Sequence, residues 1–240
     1  ITALAASKTP ANRLYYGTSM RRVYRIDSAN TGDPMPTDIT GTNFPGAANS
    51  YVSCIAIDPG DADKVLVVFS NYAVYSLFYS VDGGTSWDKA AGNLEQVSTG
   101  AGNGPSLRWA EILTVGDSTL YFVATSIGLY ATDTLEGLAT VWVQQGTNTI
   151  GNVVVDMIDT RESDGKVVIG THGNGVYVTH VKKVAPVAVD DKVTTNQDSA
   201  VVIDVQANDY DFSGAPLTTT SIDPPAYGIA TLLNDDSIEY

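Results

Sequence analysis

Cysteine is nearly missing from this sequence, with one copy, Cys54, in 240 residues. One thiol makes no internal disulfide and no multi-cysteine metal site. Within the apolar run "YVSCIAI" it reads as a small buried hydrophobe. Positive charge is scarce as well: 13 Lys and Arg face 27 Asp and Glu, a formal net charge of −14. Such a chain repels phosphate backbones and anionic lipid, so no nucleic-acid partner is expected. No apolar run approaches the roughly 18–20 residues of a membrane span, so no such span is expected. The opening "ITALAAS" is strand-like and carries no signal peptide. It reads as the start of a mature piece or of an excerpt from something longer.

What remains is rich in Gly (22) and Tyr (13), 43% hydrophobic and only 17% charged. That mixture excludes bulk disorder and suits β structure, as one large all-β domain or two smaller ones. Four segments repeat, opening at Ile1, Ser50, Leu107 and Asn152. Each has an apolar strand, a turn of Pro, Gly, Asp, Asn or Ser, and a second apolar strand. The second strand closes on Gly17-Thr18, Phe69-Ser70, Ala124-Thr125 or Gly170-Thr171, with Phe69 the poorest match. A hairpin and a Tyr-rich third strand follow. Fourth strands fit "PTDIT" near Asp38, "SWDKAAG" at Trp87 and "TVWVQQG" at Trp142; the last unit has none. The period, roughly 46 to 55 residues, is that of propeller blades, and no long helical periodicity survives the turns. The expected fold is all-β, about four β-propeller blades over 1–182, belonging to a ring completed from elsewhere.

The octapeptide "SVDGGTSW" sits between strands three and four of the second unit. Its Ser80, Asp82, Gly84, Ser86 and Trp87 fall at the positions S-x-D-x-G-x-[TS]-W. The stretch therefore resembles the Asp-box, or BNR, repeat of sialidases, sortilin-like receptors and other propellers. Its chemistry is structural: Asp82 accepts turn N–H groups, Gly84 takes a positive φ, and Trp87 buries its ring. The resemblance places this hairpin on the face opposite the ligand.

That opposite face gathers the loops between strands two and three and those leading to the next blade. Its candidate binding residues are Arg21, Arg22, Tyr72, Glu95, Arg108, His172 and Asn174. A glycosidase would need paired carboxylates there, or an arginine cluster with a Tyr nucleophile. Glu95 is the only obvious carboxylate in these loops. Arg21 and Arg22 are adjacent and point apart, while Arg108 could join one of them. His172, between glycines, reads as a turn residue, and His180 as a strand residue. No catalytic residue is assigned.

After "KKVAPVA", read as a linker over 183–188, the style changes. "APVAVDD", "VVIDVQANDYD", "PLTTTSI" and "YGIATLLNDDSIEY" together resemble a bacterial Ig-like, cadherin-like module, here partial, over 189–240. Asp190, Asp191, Asn208, Asp209 and Asp211 offer hard oxygen ligands suited to Ca²⁺, or else form an Asx-rich turn. The 1–182 segment is also similar to the end of secreted propellers exported by the type IX route. The expected protein is an extracellular or cell-surface bacterial binding or adhesion protein, non-enzymatic, contacting protein or glycan through the propeller face. The alternatives are a glycoside hydrolase or sialidase-type enzyme with its acids outside this chain, and a structural spacer or assembly subunit. Self-association, or strand completion by another chain, is expected from the incomplete last blade.

Overall fold

The computed structural model describes residues 1–46, 50–101, 103–116, 118–181, 188–209, 217–234 and 236–240. The chain divides into two compact units, Ile1–Lys182 and Lys183–Tyr240. Most of the linker segment, 183–187, and Asp211 lie outside the described residues.

The first unit is four antiparallel meanders. The first comprises β1 (Ala3–Ala6), β2 (Leu14–Gly17), β3 (Val23–Ile26) and β4 (Thr37–Asp38). The second holds β5 (Tyr51–Asp58), β6 (Asp61–Ser70), β7 (Leu77–Ser80) and β8 (Asp88–Lys89). The third holds β9 (Leu107–Val115), β10 (Ser118–Thr125), β11 (Gly128–Thr132) and β12 (Val143–Gln145). The fourth comprises β13 (Val155–Arg161), β14 (Lys166–Thr171) and β15 (Val176–His180), with no fourth strand among the described residues. Among the described residues helix is limited to two 3₁₀ turns, Gly92–Leu94 and Gly137–Ala139. The β-propeller reading holds, and the fourth strands of the first three blades fall within "PTDIT", "SWDKAAG" and "TVWVQQG".

First strands pack in sequence: β1 on β5, β5 on β9, and β9 on β13. Second strands lean on the next first strand, as β2 does on β5 and β6 on β9. This is radial stacking, and it explains why the inner strands are apolar on both faces. One core fills the seams among the first three blades around Tyr15, Val52, Leu66, Val68, Leu77 and Phe78. A second lies between blades three and four around Phe122, Leu129, Val155, Ile158, Val167 and Ile169. Each such large side chain, fully buried, contributes about 1.5–3 kcal/mol. Gly17 is needed for this closeness, because a Cβ there would stand 2.2 Å from Val52 Cγ1. Cys54 is buried with its sulfur against the Ala110 backbone of the next blade, and burial pushes its thiol pKa up.

The seams also carry a repeated polar staple. Trp87 Nε1 donates to the Ile39 carbonyl of the preceding blade (2.8 Å), and Trp142 Nε1 donates likewise to Ala90 (2.9 Å). An asparagine returns each contact: Asn43 Nδ2 donates to the Trp87 carbonyl (2.7 Å) and Asn93 Nδ2 to that of Trp142 (3.0 Å).

Three inner strands contain a β-bulge, and the extra residues are Ser53, Arg108 and Asp156. In the second blade the pair that closes the second strand falls one residue earlier than the sequence repeat places it. Phe69 N donates to Ser76 O (2.8 Å), as Thr18 N does to Arg22 O and Thr171 N to Gly175 O. Val68-Phe69, rather than Phe69-Ser70, is thus in phase with the other pairs.

In the second unit, β16 (Val202–Ile203), β17 (Thr231–Leu232) and β18 (Ile238–Glu239) form a small sheet in the order β16-β18-β17.

Candidate ligand-binding face

Because every blade is a meander, its turns alternate between two ends of the first unit. One end holds the β2–β3, β6–β7, β10–β11 and β14–β15 turns and the connections between blades. All seven candidate binding residues lie at this end. The octapeptide lies at the other.

Bulges re-aim a side chain that a regular strand would place in the ladder. Two of them do so on adjacent inner strands here. Arg108 Nη1 lies 3.4 Å from Asp156 Oδ1, and Asp156 Oδ2 lies 3.4 Å from His172 Nδ1. Asp156 therefore sits between a guanidinium and an imidazole, the three residues coming from β9, β13 and the β14–β15 turn. Both contacts are longer than a good charge-assisted hydrogen bond. Arg108 Nε is buried with no partner among the described residues. The imidazole of His172 is largely solvent-exposed. The group thus sets one carboxylate between a guanidinium and an exposed imidazole, a pattern suited to hydroxyl or amide groups.

Arg108 and His172 of this group are among the sequence candidates, and Asp156 is not. "NVVVDMID" reads as an ordinary strand, and only the bulge turns Asp156 out of it.

The remaining candidates are not drawn into this group. Arg22 pairs with Asp38 (2.6 Å), whose carboxyl is held below its ordinary pKa by Thr40 and then by Arg22. Arg21 occupies the left-handed region (φ 64°) in the same turn. Both arginines border a cleft of about 490 Å³ together with Asp38, Thr40 and Phe44. Tyr72 is 56% exposed. Asn174 Nδ2 donates to Tyr177 Oη (2.8 Å). Glu95 is turned inward, accepting from Ser76 N (2.9 Å) and Ser76 Oγ (2.8 Å). Burial raises its pKa, against the opposing pull of those Ser76 bonds.

At the other end, the Asp82 carboxylate braces its own turn. It accepts from Ser86 N (2.9 Å), Ser86 Oγ (2.6 Å) and Ser80 Oγ (2.8 Å), and the Ser86 bonds lower its pKa. Gly84 has φ 88°, and Trp87 is buried in the seam.

Between the inner strands lies an axial cavity of about 260 Å³, lined partly by Glu111, Asp159 and Trp109 and bordered by Lys8 and Glu162. Lys8 and Glu162 pair at 2.9 Å. Glu111, accepting from Trp109 Nε1 (3.2 Å), is pushed up to a pKa of about 7 by desolvation.

In the second unit, Val189 N donates to Asp209 Oδ1 (2.7 Å), and Asn208 Nδ2 lies 3.5 Å from Asp190 O. The two acidic stretches therefore meet. Among the described residues no group of three or more His, Cys, Asp or Glu could hold a metal ion.

Residues 183–240 match the family model of the bacterial Ig domain. No curated protein matches the chain by sequence. Among solved structures, it is similar to the GH74 xyloglucanase from Xanthomonas campestris at 14% identity and TM-score 0.51, over 75% of this chain and 29% of that one. It is also similar to an ancestral GH74 enzyme at 18% identity and TM-score 0.50, over 74% of this chain and 22% of that one. The chain thus spans under a third of the length of these structures, and at such identities the likeness is one of fold. No helix among the described residues is long and apolar enough to cross a membrane.

Proposed function

We propose that the first unit is a non-catalytic binding module of a secreted or cell-surface protein, holding a glycan or a protein loop on the Arg108–Asp156–His172 face. The observation that carries this reading is the aspartate between two donors, set on bulges of adjacent inner strands. An ionised acceptor beside planar donors matches paired sugar hydroxyls, and exposed Tyr72 supplies an apolar platform at the same end. The bacterial Ig domain match is in keeping with a surface module, and adhesion is the role this reading gives the whole. A neutral-glycan array, followed by calorimetry on any hit, tests it. Loss of binding on Arg108→Ala and Asp156→Ala is expected. Binding indifferent to both, and to Arg21→Ala, Tyr72→Ala and His172→Ala, overturns this placement.

A second reading, glycoside hydrolysis with further acids outside this chain, has one observation in its favour. Glu95 is a carboxyl at the same end whose burial favours the protonated form that a general acid requires. Release of reducing ends from xyloglucan or other glycans by a longer form of the protein, abolished by Glu95→Gln, would favour it. For the second unit, the meeting of the two acidic stretches keeps calcium as a proposed ligand. Calorimetric titration with CaCl₂ decides that point.

A further inference from the structure

An asparagine or aspartate holds its side-chain carbonyl carbon within five-membered-ring reach of the next residue's backbone nitrogen. Attack is easiest when that residue is glycine, which has no side chain to shield the nitrogen or restrict its rotation. The sequence holds four such pairs: Asp82-Gly83, Asn103-Gly104, Asp164-Gly165 and Asn174-Gly175. The fold treats them differently.

The two aspartates are poor electrophiles while ionised, and their surroundings hold them further. Gly83 N donates to Asp63 O (2.9 Å), and the Asp82 carboxylate is engaged by Ser80 and Ser86. Gly165 N donates to Glu162 O (3.4 Å), and Asp164 accepts from Arg161 Nε (2.9 Å) and Nη2 (2.7 Å). Gly104 is hemmed in, since a Cβ there would stand 2.7 Å from Leu94 O, and Asn103 N is tied to Gln96 Oε1 (2.8 Å).

Asn174-Gly175 lacks these restraints. Both residues are exposed, in the β14–β15 turn. Gly175 joins the hairpin through its carbonyl, which accepts from Thr171 N (3.1 Å) and Thr171 Oγ1 (2.6 Å), while its own nitrogen donates to nothing among the described residues. Gly173 and Gly175 flank Asn174 at φ 82° and 87°, and a Cβ at either would meet nothing within 4 Å. One contact opposes reaction: Asn174 Nδ2 donates to Tyr177 Oη (2.8 Å), so the amide is held by its nitrogen.

We propose that Asn174 is a self-modifying site, converting without an enzyme into aspartate and isoaspartate. Hydroxide removes the Gly175 amide proton, and the nitrogen attacks Asn174 Cγ. The Cγ–Nδ2 bond breaks, and ammonia leaves with a proton drawn from water. A second water then opens the cyclic imide. Cleavage at Cγ gives aspartate; cleavage at the main-chain carbonyl gives isoaspartate, whose backbone is one methylene longer. No oxidant or reductant takes part. Either product puts a new carboxylate in the turn that carries His172 and removes the donor to Tyr177. This end of an aged molecule therefore differs in charge from that of a new one.

The test holds the 240-residue chain at pH 8 and 37 °C in water enriched in ¹⁸O, followed by tryptic mapping in ordinary water. The peptide opening at Val167 is expected to gain a carboxylate carrying ¹⁸O, and an isoaspartyl methyltransferase is expected to label part of it. Conversion at Asn174 should outrun that at Asn103 by about tenfold or more and rise in proportion to hydroxide. Asn174→Gln needs a six-membered ring and is expected to slow the reaction by about tenfold or more. Tyr177→Phe frees the leaving amide and should speed it about twofold, the value of one exposed hydrogen bond. A synthetic peptide of residues 167–182 gives the unrestrained rate. Conversion slower in the folded chain than in that peptide by about tenfold or more would mean that the turn protects Asn174, and overturns the proposal. So does conversion that favours Asn103, or that yields aspartate without isoaspartate.

Discussion

Asp156 touches both Arg108 and His172 at 3.4 Å, and its carboxylate is partly open to solvent, so its removal should cost recognition more than stability. Asp156→Asn keeps the shape and one acceptor but loses the charge. Ligand affinity is expected to fall about tenfold, the scale of one charge-assisted hydrogen bond, with the folding free energy changed by less than about 0.5 kcal/mol. Calorimetry and chemical denaturation read the two effects separately. Glu111 presents the reverse case. Its pKa in the folded chain, about 7, lies above the ordinary value of 4.5 because the cavity desolvates it. The folded state therefore binds the proton more tightly than the unfolded state. The protonated carboxyl is accommodated at low pH, and stability is lost as pH rises from about 4.5 through about 7. Glu111→Gln, neutral throughout, should flatten the melting temperature across that window and melt above the parent chain at pH 8. A parent and variant with parallel pH profiles would show that Glu111 does not hold its proton.

At the scale of elements, the seams rather than the individual sheets carry the architecture. Trp142 closes the seam between blades two and three with a ring and one hydrogen bond. Trp142→Ala is expected to cost about 3–5 kcal/mol by denaturant melts, as large aromatic truncations in cores do. Gly92 belongs to the same seam: it holds φ 47°, and a Cβ there would stand 1.8 Å from Thr140 O. Gly92→Ala must push blade three away, so early proteolysis between blades two and three should accompany its loss of stability. Much of this was legible in the sequence. Turn clusters and the two tryptophans marked β8 and β12, and the last unit, for which the sequence offered no obvious fourth strand, has none among the described residues. Bulges left no such mark. A bulge is fixed by which partner residue a strand faces, and single-strand alternation does not carry that information. Phe69-Ser70 was read one residue out of phase because Val68 lacks the small side chain that marks the other pairs. The bulge hid Asp156 in "VVVDMID", and Glu95, read as a carboxylate of the connecting loops, accepts from Ser76.

For the whole molecule, charge sets which ligands can approach. The formal net charge is −14, the excess of 27 acids over 13 basic residues. Locally the candidate face holds cations, Arg21, Arg22 and Arg108, which taken alone would invite an acidic glycan. Arg22 and Arg108 already face Asp38 and Asp156 at 2.6 and 3.4 Å, so much of that local attraction is offset. The surplus acids act over about 10 Å at 0.1 M salt and further at lower ionic strength. Long-range repulsion should therefore outweigh the short-range attraction for polyanions, but it leaves uncharged sugars unaffected. Neutral glycans are expected to bind with little dependence on salt, and polysulfated or polysialylated glycans not to bind even at 20 mM NaCl, where electrostatic attraction is least screened. An array probed at 20 and 150 mM NaCl makes the comparison. Polyanion binding that strengthens as salt is lowered would mean that the local arginines, not the net charge, govern recognition at this face.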